Sequence, residues 1–301
     1  MRDYLVKAYA FGGTVRLYTA VTTNLVSEAQ QRHDLWPTSS AALGRLLTTS
    51  VIMGAMYKDD QELTIRVDGN GSLGRMVATT NTLGEVRGYV GNPHVFLQYN
   101  TGKLNVGMAV GQGFIHVTKD LKVRAMFTSS SAIQTGEIAE DFAYYFTASE
   151  QIPSAVGLGV LVNDDNSIKS AGGFILQIMP GWSDETKDII EKVLQEIPPV
   201  SELVEKGYTP EMMAELITKG DFQLLEELDL KFACDCSKDK FEEGLMSLGV
   251  EQLQEIKEED QKIDVTCHFC QEHYSWNELE IDGLIEESKL KEWIITLFFL
   301  K

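Results

Sequence analysis

Residues 62–80 read ELTIRVDGNGSLGRMVATT. Leu63, Ile65 and Val67 alternate with Thr64, Arg66 and Asp68, and after the turn chemistry of Asp68-Gly69-Asn70-Gly71 the strand-like pattern resumes. A period of two sends successive side chains to opposite faces, so the stretch reads as a hairpin with one face buried. The same texture recurs at 5–10, 14–22, 85–92, 113–120 and 156–180. Two segments carry helical spacing instead. Residues 38–57 offer Thr38 to Ser40 as an N-cap ahead of a mostly apolar body, which implies a buried helix, and residues 136–153 form the second. The expected class is α+β, with a mixed sheet-and-helix core domain over residues 1–180.

Beyond Pro180 the signals change. Ser183 is placed to cap a helix over 184–197 that stops at Pro198-Pro199, and Thr209 with Pro210 opens another that Gly220 ends. Helices this short are marginal alone in water. Residues 181–231 are therefore expected to be an acidic helical linker that takes its stability from whatever it packs against. Residues 232–288 are expected to be a small separate domain, in which Ser237 caps a helix stopping at Gly249 and a hairpin runs over 262–276. The remainder, 289–301, is an atypical tail whose WIITLFFLK is apolar but too short to span a membrane.

Charge divides the chain the same way. Through Pro180 there are 15 acids against 14 Lys and Arg; from Gly181 onward there are 30 against 12, within a total net charge of -19. The acidic back repels phosphate backbones, which argues against nucleic-acid binding. The opening MRDYLVKAYAFGG has no long apolar stretch followed by a small-residue cleavage site, and no segment reaches membrane-spanning length. The expected setting is the cytoplasm.

All four cysteines stand in FACDCSKDK and VTCHFCQEHYSW: Cys234, Cys236, Cys267 and Cys270. A C-x-C pair and a C-x-x-C pair can present four thiolates to one tetrahedral Zn2+ at about 2.3 Å each, a closed structural site. In a chain with no export signal this outweighs a structural disulfide framework. The close C-x-C spacing adds a second possibility, because two cysteines with one residue between them close only a small, strained and therefore labile disulfide. Oxidation would take away the thiolates, and because zinc binding is folding energy in so small a domain, metal loss should unfold it.

These cysteine pairs, together with RVDGNGSLG at 66–74, GYVGNP at 88–93, TGEIAEDFAYYF at 135–146 and SEQIPSAVGLGVLV at 149–162, resemble the 33-kilodalton heat-shock chaperone family over residues 1–288. The resemblance implies a redox-regulated, ATP-independent holdase rather than an enzyme. In that family the reduced, zinc-bound form is inactive; oxidation unfolds the C-terminal domain and linker, exposes apolar surface, permits homodimerisation and lets the protein hold unfolding clients. Carried over by position, Cys234, Cys236, Cys267 and Cys270 are both the zinc ligands and the redox thiols, with disulfides Cys234–Cys236 and Cys267–Cys270. The tail after Ser288 is unlike the family, so nothing is inherited there.

Other features read more simply. His268 and His273 could each replace a thiolate, but four cysteines leave no need for them. Asp68 opens a stretch resembling a calcium loop, yet its twelfth position is Thr79, so a hairpin turn is expected. Glu137, Glu140 and Asp141 at a helix start complement the helix dipole rather than forming a catalytic carboxylate pair. No phosphate-binding G-x-x-x-x-G-K-[ST] occurs. Two alternatives remain: a thiol–disulfide oxidoreductase using Cys267 and Cys270, whose strand-like setting lacks the helix N-terminus that activates such thiols, and a passive zinc module for protein contacts.

Overall fold

The computed structural model describes residues 2–122 and 125–299, with the side chains of 292–299 left aside. The chain divides into two compact units, Met1–Ala233 and Cys234–Lys301. In the first, the chain runs β1 (Tyr4–Ala10), β2 (Val15–Val21), α1 (Thr23–His33), α2 (Pro37–Gly54), β3 (Glu62–Gly69), β4 (Arg75–Asn81), β5 (Glu85–Val90), α3 (Val106–Val110), β6 (Gly113–Asp120) and β7 (Phe127–Ala132). It continues through α4 (Ala139–Ala148), β8 (Ser154–Val162), β9 (Ile168–Ile178), α5 (Asp184–Glu196), α6 (Val200–Glu205), α7 (Pro210–Thr218), β10 (Phe222–Asp229) and β11 (Lys231–Phe232). The second unit holds α8 (Lys238–Met246), α9 (Val250–Asp260), β12 (Ile263–Thr266), β13 (His273–Trp276) and α10 (Glu278–Phe299). The fold class is α+β as expected, and among the described residues no helix is long and apolar enough to cross a membrane.

Two sheets carry the first unit, one of five strands ordered β10-β1-β2-β9-β8 and one of six ordered β11-β5-β4-β3-β6-β7. The hairpin at 62–80 is β3 paired with β4 in the expected register, Leu63 opposite Thr80 and Val67 opposite Met76. Helix α2 packs against strands of both sheets. Nearly every one of its residues is buried, which is why its sequence is apolar on all sides. Its buried hydroxyls turn back on the helix, Thr48 to Gly44 O at 2.8 Å and Ser50 to Leu46 O at 2.7 Å. The N-cap is Trp36 rather than one of Thr38 to Ser40, because Pro37 supplies a pre-set φ at the first turn. Gly44 lets it sit close to α1 and to β8: a Cβ there would lie 2.6 Å from Val26 and 3.0 Å from Val160.

A second apolar layer covers the other face of the five-stranded sheet. Val15, Leu17, Phe174 and Leu176 from the sheet meet Ile190 and Val193 of α5, Leu203 and Val204 of α6, and Met213 and Ile217 of α7. Gly159 admits the start of α6, since any Cβ there would come within 2.4 Å of the Ser201 backbone nitrogen. The caps are those the sequence named, with Ser183 accepting from the Thr186 amide and Thr209 from the Met212 amide.

One expectation for residues 181–231 is corrected. The segment is not helical throughout: 222–229 is β10, an edge strand paired with β1. Its acids find cations on the neighbouring strand and just before it, Lys7 to Glu226 at 2.8 Å and Arg2 to Asp229 at 3.0 Å, with Arg2 also meeting Glu227. Strand pairing overrides the helix-like alternation of acids and leucines here. On α7, Met213 is buried and Met212 exposed. In the tail the backbone of α10 continues to Phe299, while Leu300 and Lys301 lie outside the described residues.

The second unit has a small core of its own. Among the described residues, Leu253, Ile263, Trp276, Ile281, Leu284 and Ile285 form its buried apolar cluster. Ser237 caps α8 by accepting from the Lys240 amide, and β12 pairs with β13 as the expected hairpin.

Candidate metal centre

The turn that joins β12 to β13 is closed by its own backbone: the Cys267 amide donates to Glu272 O at 2.9 Å and the Gln271 amide to Cys267 O at 2.8 Å. This folds Cys267 and Cys270 inward until they are 5% and 4% exposed. Cys234 and Cys236 come from the extended stretch before α8 and are half-buried. The Tyr274 hydroxyl fixes that stretch by reaching both Cys236 O at 3.2 Å and Cys236 Sγ at 3.3 Å, and its ring leans on Phe241.

All four sulfurs lie within 4.8 Å of one another. Cys234 Sγ is 3.8 Å from Cys267 Sγ, and Cys236 Sγ is 3.3 Å from Cys270 Sγ. Sulfurs about 2.3 Å from a shared tetrahedral centre stand about 3.8 Å apart, so this donor set is placed to hold one ion. No disulfide joins them. Burial pushes the Cys234 and Cys270 thiols up from their usual range. At Cys236 burial acts the same way but is outweighed by hydrogen bonds from Tyr274 and the other thiols, which hold it low. Four sulfurs crowded in so little water can all be thiolates only against a multivalent cation.

The other residues singled out from the sequence have other tasks. His268 and His273 are exposed and outside the cluster, and His273 faces Asp264 at 3.4 Å. The Asp68 carboxylate is taken by Arg66 and Arg75, each at 2.6 Å. Asp141 is buried and accepts the amides of Gln134, Thr135 and Ile138, closing the turn ahead of α4. Glu137 pairs with Arg45 at 2.7 Å and accepts from the Tyr99 hydroxyl at 2.8 Å. Glu140 is on the exposed first turn of α4, with the Thr135 hydroxyl 3.4 Å from its carboxylate. Sequence reading passed over Tyr274, whose only signal was its place four residues after Cys270 on the hairpin.

Fold and site together define a two-unit α+β protein in which a large double-sheet unit precedes a small unit built around a four-cysteine metal-type centre. The sequence profile described as "Hsp33 protein" matches residues 3–277. The chain belongs to the Hsp33 family. It is 53% identical over 289 residues to the 33 kDa chaperonin of Bacillus cereus strain AH187, covering 95% of this chain and 99% of that one, and equally similar to that of Bacillus anthracis strain A0248. The crystal structure of the 33 kDa chaperonin from Thermotoga maritima superposes with a TM-score of 0.89 at 34% identity, over 95% of this chain and 98% of that one.

Proposed function

We propose that the protein is a redox-regulated, ATP-independent chaperone that holds unfolding proteins and is silent while reduced and zinc-bound. The observation that carries this reading is the gathering of four unbridged sulfurs within 4.8 Å in a unit whose buried apolar cluster, among the described residues, numbers six. A core that small is marginal unless something else ties it together. The ligands are Cys234, Cys236, Cys267 and Cys270, and zinc, when bound, supplies the positive charge that keeps them as thiolates.

In the proposed switch, two thiols of a pair give two electrons to peroxide. An S–S bond forms, the O–O bond breaks and two waters leave. With Cys234–Cys236 and Cys267–Cys270 as the pairs, no thiolate remains to hold the 234–236 stretch against the 267–270 turn. The second unit then loses its tie and unfolds. Because β10 and β11 run directly into Cys234, we assign residues 181–231 as the segment destabilised next and 232–288 as the switch itself. Loosening α5, α6 and α7 uncovers the apolar face of the five-stranded sheet, to which exposed chain segments of clients can bind, with homodimerisation accompanying activation. The acidic half keeps loaded complexes in solution and disfavours nucleic acid. The proposed setting is the cytoplasm. An oxidoreductase role for Cys267 and Cys270 is disfavoured because both lie in the turn between two strands, neither on the first turn of a helix, and are only 5% and 4% exposed.

Light scattering of a heat-unfolding client tests this. Peroxide-treated protein is expected to suppress aggregation and the reduced zinc form to leave it unchanged; equal behaviour of the two would end the redox reading.

A further inference from the structure

We propose that the free edge of β8 docks an extended segment of an unfolding protein, uncharged along the strand, as a sixth strand of the five-stranded sheet, a proposal that rests on the chaperone reading and supplies it with a site. The two edges of this sheet differ. The β10 edge carries Glu226, Glu227 and Asp229, charges that deter pairing with another chain. The β8 edge, SAVGLGVLV, is nine residues long with no charge and no proline. Its only strand partner among the described residues is β9, so one row of its backbone amides and carbonyls faces away from the sheet. Such an edge recognises an extended backbone, whatever its side chains.

The space beside it fits that occupant. A cleft of about 980 Å³ runs along Leu158–Val162. Its far wall presents Trp36, Phe96 and Tyr99, which are 44%, 52% and 45% exposed. Open aromatic faces offer large contact area to varied side chains at little ordering cost. Arg45 and Glu137 in the cleft pair at 2.7 Å, and Tyr99 is fixed by its hydrogen bond to Glu137, so that wall is firm; Lys103 and Glu202 add one charge of each sign to the lining. Beyond Val162 the turn into β9 carries Asp164 and Asp165, neither in an ion pair among the described residues. The complementary segment is therefore apolar or neutral along its length with a Lys or Arg at the end that meets this turn. The edge has no strand partner among the described residues while all four thiols are reduced, so docking of a short peptide is expected before and after oxidation, whereas whole clients also need the uncovered sheet face.

The test uses the full chain, reduced with zinc and separately peroxide-treated, and a dansyl-labelled ten-residue peptide of alternating valine and threonine with lysine at each end. A counterpart N-methylated at alternate residues keeps the side chains but loses the edge hydrogen bonds. It is expected to bind at least about tenfold more weakly. The unmodified peptide should slow amide exchange at 154–162, and Leu161→Lys, checked for an unchanged melting temperature, should weaken it similarly. Asp164→Asn with Asp165→Asn should weaken the lysine-flanked peptide and spare a serine-flanked one. Equal binding of the two peptides, or protection located elsewhere, overturns the docking strand even if oxidised protein suppresses aggregation. Self-association lost in Leu161→Lys, without discrimination between peptides, assigns the edge to a second copy and also overturns it. Should oxidised protein fail to suppress aggregation while the peptides are still discriminated, the chaperone reading falls and the docking strand stands.

Discussion

Tyr274 reaches Cys236 through both sulfur and carbonyl, so it orients one donor without being one. Tyr274→Phe is expected to weaken metal affinity by about 10- to 100-fold, the usual cost of losing an outer partner, while Cys270→Ser should exceed that range. Competition with a chromophoric chelator in reductant measures both. A second residue acts far from the sulfurs. Asp3, 5% exposed, accepts from the Asn24 side chain and the Leu25 amide at the start of α1. Burial, partly offset by these bonds, raises its pKa from the ordinary 3.8 to about 6. A raised acid favours folding fully below about pH 4, and that contribution is lost as pH rises through about 6. Urea unfolding should therefore show wild type losing stability relative to Asp3→Asn between those values; parallel profiles would contradict the assignment. The cysteines were legible because their spacing alone implies a shared ion. Asp3 was not, because its burial comes from α1 and from the Leu230 amide that donates to its carbonyl, contacts remote in sequence.

Helices α5 to α7 show what a sequence can and cannot say about an element. The caps and apolar stripes of α5 and α7 were readable locally, and so was their dependence on packing, whereas the short α6, which has no side-chain cap, was not. What they cover was not, and β10 looked helical until β1 supplied a partner for its acids. Met213 is fully buried and Leu216 partly so in the layer over the sheet. Burying a large apolar side chain is worth about 1.5–3 kcal/mol, and a carboxylate in its place adds a desolvation cost. The double change Met213→Asp with Leu216→Asp should undock α7, speed amide exchange over 200–218 and give aggregation suppression in reduced, metal-loaded protein. An undocked helix in a protein still inactive when reduced would show that uncovering this face is not the activating step.

At the scale of the molecule, stability and charge are unevenly divided. The first unit rests on two extended apolar clusters, whereas the second, among the described residues, has one of six residues and the four sulfurs. Hydrogen exchange after oxidation is accordingly expected to lose protection in α8, α9 and the β12–β13 hairpin while β2, β3, β4 and β9 keep theirs. The central claim is that loss of the metal and gain of holding activity are one event. A peroxide titration of a single sample, reading released zinc with a chromophoric indicator and client aggregation by light scattering, addresses it directly. The account predicts about one zinc per reduced chain, activity rising in step with its release, and both reversed by reductant with added zinc. Full release without activity, or full activity with the zinc still bound, would contradict it.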